Sequence, residues 1–207
     1  MIEIMQSIRP KWCELIIHGK KTIEVRKTRP KCGTPFKVYI YCTKPTKWFT
    51  VLHFCASNEN LWLSEGKVNM SDGFEHWASN KPYTCLNGKV IGEYICDEVL
   101  EYPYIDDGYS SGGDYLTITR DGYIKMCLDH ADLLTYGGGK TLYGWHISDL
   151  KIYDTPKDIR EFKRVNRTEE NTPCAHVKWL YEPCEKCKEC NLTRAPQSWC
   201  YVQRIWE

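Results

Sequence analysis

Hydrophobic positions change their spacing early in the chain. In residues 9–19, RPKWCELIIHG, Trp12, Leu15 and Ile16 recur at helical intervals. Pro10 suits a first turn and Gly19 a C-cap, so a short helix is expected there. From Thr22 the period falls to two: Ile23 and Val25 point to one side of a strand, and Thr22, Glu24 and Arg26 to the other. FKVYIYC, at 36–42, reads as a second strand, closed by TKPTK.

Residues 46–87 carry less pattern. WFTVLHFC suits a strand, while NLWLSEGKVNM and GFEHWASNKPYTC read as an aromatic-rich insertion. The strongest strand signal is GKVIGEYICDEVLEY, 88–102, where Gly88 follows Asn87 in a turn and β-branched residues come next. PYIDDGYSSGGD at 103–114 has loop composition, LDHADLLTYG at 128–137 reads as a helix, and TLYGWHISDLKIYD at 141–154 as a strand. TPKDIREFKR is expected to add at least one helical turn. VNRTEENTP then makes a polar linker into a cysteine-rich tail. The pattern predicts an α+β, mainly β domain at 1–163 with short helices, and a small C-terminal module at 164–207.

The 207 residues allow one good core and a small appendage, with 42% hydrophobic and 27% charged residues in the range of globular proteins. Net charge is only +1, but residues 1–35 hold eight Lys or Arg against three Glu. Residues 97–114 hold six acids and no Lys or Arg, so the neutral total conceals a basic segment able to face an anion. No apolar run approaches the ~18 residues of a membrane span. The first residues lack the order of a secretory signal, so a cytoplasmic protein with no membrane partner is expected. Of twelve cysteines, Cys13, Cys32, Cys42, Cys55, Cys85, Cys96 and Cys127 are scattered singly among apolar or strand-like residues, as small hydrophobes would be. That distribution suits a reducing compartment.

Three blocks, SIRPKWCELIIHGKKTIEVRK, GKVIGEYICDEV and YGWHISDLKIYDTPKDIREFK, occur in the order seen in ASCH-domain proteins. The chain resembles that family over residues 4–163, and the hallmark G-x-K-x-x-E-x-R falls on Gly19, Lys21, Glu24 and Arg26. The resemblance implies a PUA-like β-barrel whose cleft receives RNA, a nucleotide or a modified nucleoside. Some members resemble amidohydrolases acting on acylated cytidine, and others have been linked to RNA cleavage. The amidohydrolase-like members carry a threonine nucleophile at the position of Glu24, and Thr22 is out of register with that pattern. A carboxylate does not replace an alkoxide in that chemistry, so this departure weighs against a deacylase.

The residues themselves leave alternatives open. Lys21 suits a phosphate contact, or a base if burial and the nearby Lys20, Arg26 and Lys27 lower its pKa. Glu24 and Arg26, on one face of a strand, either pair with each other or engage a ligand, with Glu24 a candidate general base for water. Tyr143 and Trp145 share a face and suit either base stacking or core packing. His146 and Ser148 share the other face, where His146 is a proton carrier or a hydrogen-bonded structural residue. Ser7 and Arg9, before the first helix, are candidates for an anion contact. The candidate catalytic pair is therefore Lys21 and Glu24, within a ligand site of Arg9, Lys20, Lys21, Glu24, Arg26, Tyr143, Trp145, His146 and Ser148.

In the tail, Cys184, Cys187 and Cys190 form two overlapping C-x2-C pairs that suit one metal ion. Cys200 is the expected fourth ligand, with Cys174 its substitute, and a structural zinc is the favoured ion. An iron–sulfur cluster fits less well, because the run lacks the x3-C-P completion. The ending RAPQSWCYV resembles tails of phage-type ASCH proteins.

Overall fold

The computed structural model describes residues 1–44, 48–55, 60–67, 84–106, 113–165 and 191–205. These divide into two compact units. The first consists of Leu15–Phe36 and Tyr94–Leu150, with Met1; the second of Ile2–Glu14, Lys37–Glu93 and Lys151–Glu207.

β1 (Glu3–Ile8), β3 (Phe36–Cys42), β7 (Val90–Cys96), β12 (Ser148–Lys157), β13 (Phe162–Arg164) and β14 (Trp199–Arg204) lie wholly or mostly in the second unit. They make a six-stranded sheet in the order β12-β7-β3-β1-β14-β13. β1 is central, running parallel to β3 with Met5 opposite Tyr39 and antiparallel to β14 with Met5 opposite Cys200. Residues facing each other across a ladder share a face. Met5, Tyr39, Cys200 and Val202 therefore bury one side of the sheet together with Phe162 and Leu192. A smaller sheet joins β4 (Trp48–Cys55), β5 (Asn60–Lys67) and β6 (Thr84–Cys85).

In the first unit, β2 (Ile23–Arg26), β11 (Leu142–His146) and β8 (Val99–Tyr102) form an antiparallel sheet with β11 in the middle. β9 (Tyr104–Ile105) pairs with β10 (Tyr115–Leu116). Two short helices, α2 (Arg120–Met126) and α3 (His130–Gly137), help bury Ile23, Val25, Tyr102, Leu116, Met126, Leu133 and Leu142. Gly144 is required in β11: a Cβ there would lie 2.7 Å from the Tyr102 ring and 2.8 Å from Ile23.

The secondary structure is α+β and mainly β, as the hydrophobic pattern predicts. Among the described residues, β12 and β13 at the two ends of the largest sheet are not paired with each other, and no closed barrel is formed. Helix α1 (Pro10–Ile17), β2 and β3 occupy the expected segments. The apolar runs 88–102 and 141–154 each divide in two, at Asp97–Glu98 and at Ile147. Of the helical turn or more expected in 155–164, one turn is present, and it starts later in the segment. β12 continues to Lys157, and only one 3-10 turn, Ile159–Glu161, follows before β13. Asp158 and Glu161 close that turn with a capping box, after which Phe162 must return to the sheet to bury its ring. The tail segment expected at 164–207 includes β14, a strand of the six-stranded sheet; residues 166–190 lie outside the described residues.

Candidate ligand-binding site

The turn after α1 delivers the first functional side chain. Gly19 takes a left-handed φ of 67°, and the backbone amides of Lys20 and Lys21 both donate to the Leu15 carbonyl, at 2.9 and 3.0 Å. This glycine-terminated wrap reverses the chain within three residues and feeds it directly into β2. Lys21 is thereby turned inward, and only 2% of it is exposed.

Its ammonium Nζ donates to the Met126 carbonyl at 2.6 Å and lies 3.5 Å from Glu24 Oε2. The other Glu24 oxygen, Oε1, is 3.1 Å from Arg26 Nη2. One carboxylate therefore bridges two cations in a nearly dry setting: Glu24 is 4% exposed, and the Arg26 side chain 11%. Burial lowers the Lys21 pKa below the ordinary lysine value; Glu24 and Cys127 oppose the shift, and Arg26 adds to it. With all three groups ionised, the cluster holds one positive charge in excess, and Arg26 is its most accessible member.

Strand register places aromatic rings beside the cluster. Tyr143 is opposite Arg26 and Trp145 opposite Glu24, so all four share one face of the sheet. Trp145 is fully buried and meets Phe36 edge-on, with ring centroids 5.3 Å apart. Tyr143 is half-buried, and the Arg29 guanidinium lies 5.6 Å from its ring centre. Lys27 is similarly placed over exposed Tyr136, at 5.1 Å. With exposed Lys20, the cations Lys27 and Arg29 give the buried cluster a basic surround.

His146 projects from the opposite face, since it pairs with Ile23 rather than with Glu24. Its Nδ1 is 2.7 Å from Asp97 Oδ1, and this hydrogen bond is the main reason the Asp97 carboxyl sits below its ordinary pKa. Ser148 Oγ donates to the Ile95 carbonyl. Arg9 is exposed in the second unit, where its carbonyl accepts from the amides of Trp12 and Cys13. The structure thus brings together Lys21, Glu24, Arg26, Tyr143 and Trp145. Asp97, Arg29, Tyr136 and the Met126 carbonyl are partners that sequence reasoning missed. Asp97 lies in an acidic segment with no spacing that marks it, and a backbone carbonyl has no sequence signal at all.

No protein-family model and no curated protein matches the sequence. Among solved structures, a serine-to-alanine variant of the ASCH protein from Zymomonas mobilis aligns with a TM-score of 0.50 at 16% identity, covering 98% of this chain and 89% of that one. The fold is that of an ASCH protein. A second structure of the Zymomonas mobilis ASCH protein aligns at 15% identity with a TM-score of 0.47, covering 97% of this chain and 87% of that chain. On this ASCH fold, Gly19 forms the turn, and Lys21, Glu24 and Arg26 form the cluster.

The expected metal ligands are placed only in part. Cys174, Cys184, Cys187 and Cys190 lie outside the described residues. Cys200 sits in β14 within the core of the second unit, where burial pushes its thiol up to about 11. Among the described residues no group of three or more His, Cys, Asp or Glu side chains could hold a metal ion. No helix among them is long and apolar enough to cross a membrane.

Proposed function

We propose that the first unit is a binding module for RNA or a nucleotide, with Arg26 as its anion contact. The observation that carries this reading is the buried Lys21–Glu24–Arg26 cluster. Two cations share one carboxylate, and Arg26 is the member of the cluster that an anion reaches most easily. A phosphate there would make charge-assisted hydrogen bonds to a guanidinium already held in place by Glu24. Lys20, Lys27 and Arg29 would draw the anion in, and Tyr143 would offer its ring to a base. Calorimetric titration with a mononucleotide and with its unphosphorylated nucleoside tests the assignment. Tighter binding of the phosphorylated form, lost on Arg26→Gln, is expected; equal binding of both forms by both proteins contradicts it.

One observation favours a second reading, a hydrolase acting on a modified nucleoside or on RNA. Burial lowers the Lys21 pKa, which raises the share of neutral amine available to take a proton. Glu24 then stands 3.5 Å from that amine and positions it. Turnover of acylated cytidine or of single-stranded RNA, lost in Lys21→Ala while the variant stays folded, would support this role. Equal turnover by the two proteins removes Lys21 from the chemistry. For the tail, a structural zinc held by Cys184, Cys187 and Cys190 is proposed from their spacing. Cys200 is the proposed fourth ligand, with Cys174 as its substitute.

A further inference from the structure

Two nucleophiles of different chemistry cross at the end of α2. Cys127 caps that helix in a left-handed conformation, φ 52°, and its thiol donates to the Lys20 carbonyl at 3.3 Å. The next residue of that strand entry, Lys21, sends its amine the other way, to the carbonyl of Met126, which immediately precedes Cys127. A third bond, from the Thr22 amide to the Lys125 carbonyl at 2.9 Å, fixes the two segments against each other. Each side chain thus bonds the carbonyl of the residue that precedes the other, and the two segments lie side by side. Lys21 is buried and Cys127 half-buried, so a small reagent reaches the thiol first.

From this arrangement we infer that Cys127 is a hydroperoxide-reactive thiol that locks Lys21 through a reversible sulfur–nitrogen bond. The hydroperoxide transfers one oxygen to the Cys127 sulfur, giving a sulfenic acid, and is itself reduced to water or an alcohol. The neutral Lys21 amine then attacks that sulfur. An S–N bond forms, the S–O bond breaks, and the oxygen leaves as water with a proton from nitrogen. Cys127 is oxidised by two electrons overall, and an added thiol reverses the bond by reducing the sulfur back to a thiol. The lowered pKa of Lys21 helps, since only the unprotonated amine condenses. Cross-linking withdraws the amine from Glu24, so the consequence for ligand binding rests on the proposed role of the Lys21–Glu24–Arg26 cluster.

The test is peptide mapping of the full reduced chain after hydrogen peroxide, with remaining thiols blocked before digestion. The expected product is a linked pair of peptides containing Lys21 and Cys127, about two mass units lighter than their sum. It should disappear on treatment with dithiothreitol and be absent from Cys127→Ser, which keeps the half-exposed site polar, and from Lys21→Arg. Recovery of the two peptides unlinked, with Cys127 as a sulfinic acid or in a disulfide, overturns the inference. RNA binding is read on the same samples. A cross-link that forms in a protein that never bound RNA leaves the chemistry standing and removes the binding role instead.

Discussion

Glu24 is the residue on which the cluster depends. It touches Lys21 with one oxygen and Arg26 with the other, and all three side chains are largely withdrawn from water. Taking such charges out of water is unfavourable, and the pairing offsets it only while each charge has its partner. Glu24→Gln keeps the shape and removes the negative charge, leaving two buried cations facing each other. A loss of about 3–5 kcal/mol in urea unfolding is expected, the range for breaking a buried pair from one side; a loss below about 1 kcal/mol would mean the cluster is better hydrated than its burial indicates. Lys21 adds a pH dependence with a definite sign. Its folded pKa lies below the ordinary 10.5, so between those two values the unfolded chain binds more protons than the folded one. Stability should therefore rise as pH climbs through that window, and the rise should be missing in Lys21→Met. Thermal melts of both proteins against pH provide the measurement. The spacing of Glu24 and Arg26 made their shared face legible in the sequence, because residues two apart on a strand share a face, and the hallmark pattern added Lys21. The hydrogen bond from Lys21 to Met126, 105 positions away, was not legible, and neither was Asp97 beside His146.

At the scale of elements, the legible pieces are those with one dry face and one wet face. α1 and β2 have such a pattern, and their boundaries follow from Pro10, Gly19 and the change of period at Thr22. β1 does not: it is central, and five of its six residues are buried, so no alternation marks it. β14 lies between β1 and β13 and includes polar positions that disguise it. α2 is only seven residues long, carries Gly122, and depends on its cap: the Gly122 amide donates to Thr119 Oγ1 at 3.1 Å. Short helices of this kind draw their stability from tertiary packing more than from local preference. Gly144 offers the sharpest check on packing in the β2-β11-β8 sheet, since a methyl group there meets Tyr102 and Ile23 at under 3 Å. Gly144→Ala should lower stability by about 1–3 kcal/mol, the usual result of overpacking. A melting temperature equal to that of the parent would show that the Tyr102 ring moves aside at little energetic cost.

Over the whole molecule, the formal charge of +1 hides a division of labour. Basic residues gather in the first 35 positions, and acids in 97–114. Under the proposed function, long-range attraction of an anion would therefore come from a local field rather than from net charge, and would be screened over the Debye length of about 8–10 Å in ordinary buffers. What composition and spacing conveyed at this scale was a mainly β chain with a basic segment and a cysteine-rich tail. The open six-stranded sheet was not conveyed, because it depends on β14 returning beside β1 across nearly the full length of the sequence. The role proposed for the first unit is to bind a phosphate-bearing ligand through Arg26 and its basic surround. Its most direct test is the affinity for a fluorescent single-stranded RNA, measured by anisotropy over a series of salt concentrations for the parent and Arg26→Gln. The parent affinity should fall steadily with salt, and the variant should bind more weakly, with a log–log slope shallower by about 0.7 per lost phosphate contact. Affinities that are equal in the two proteins and insensitive to salt would contradict it.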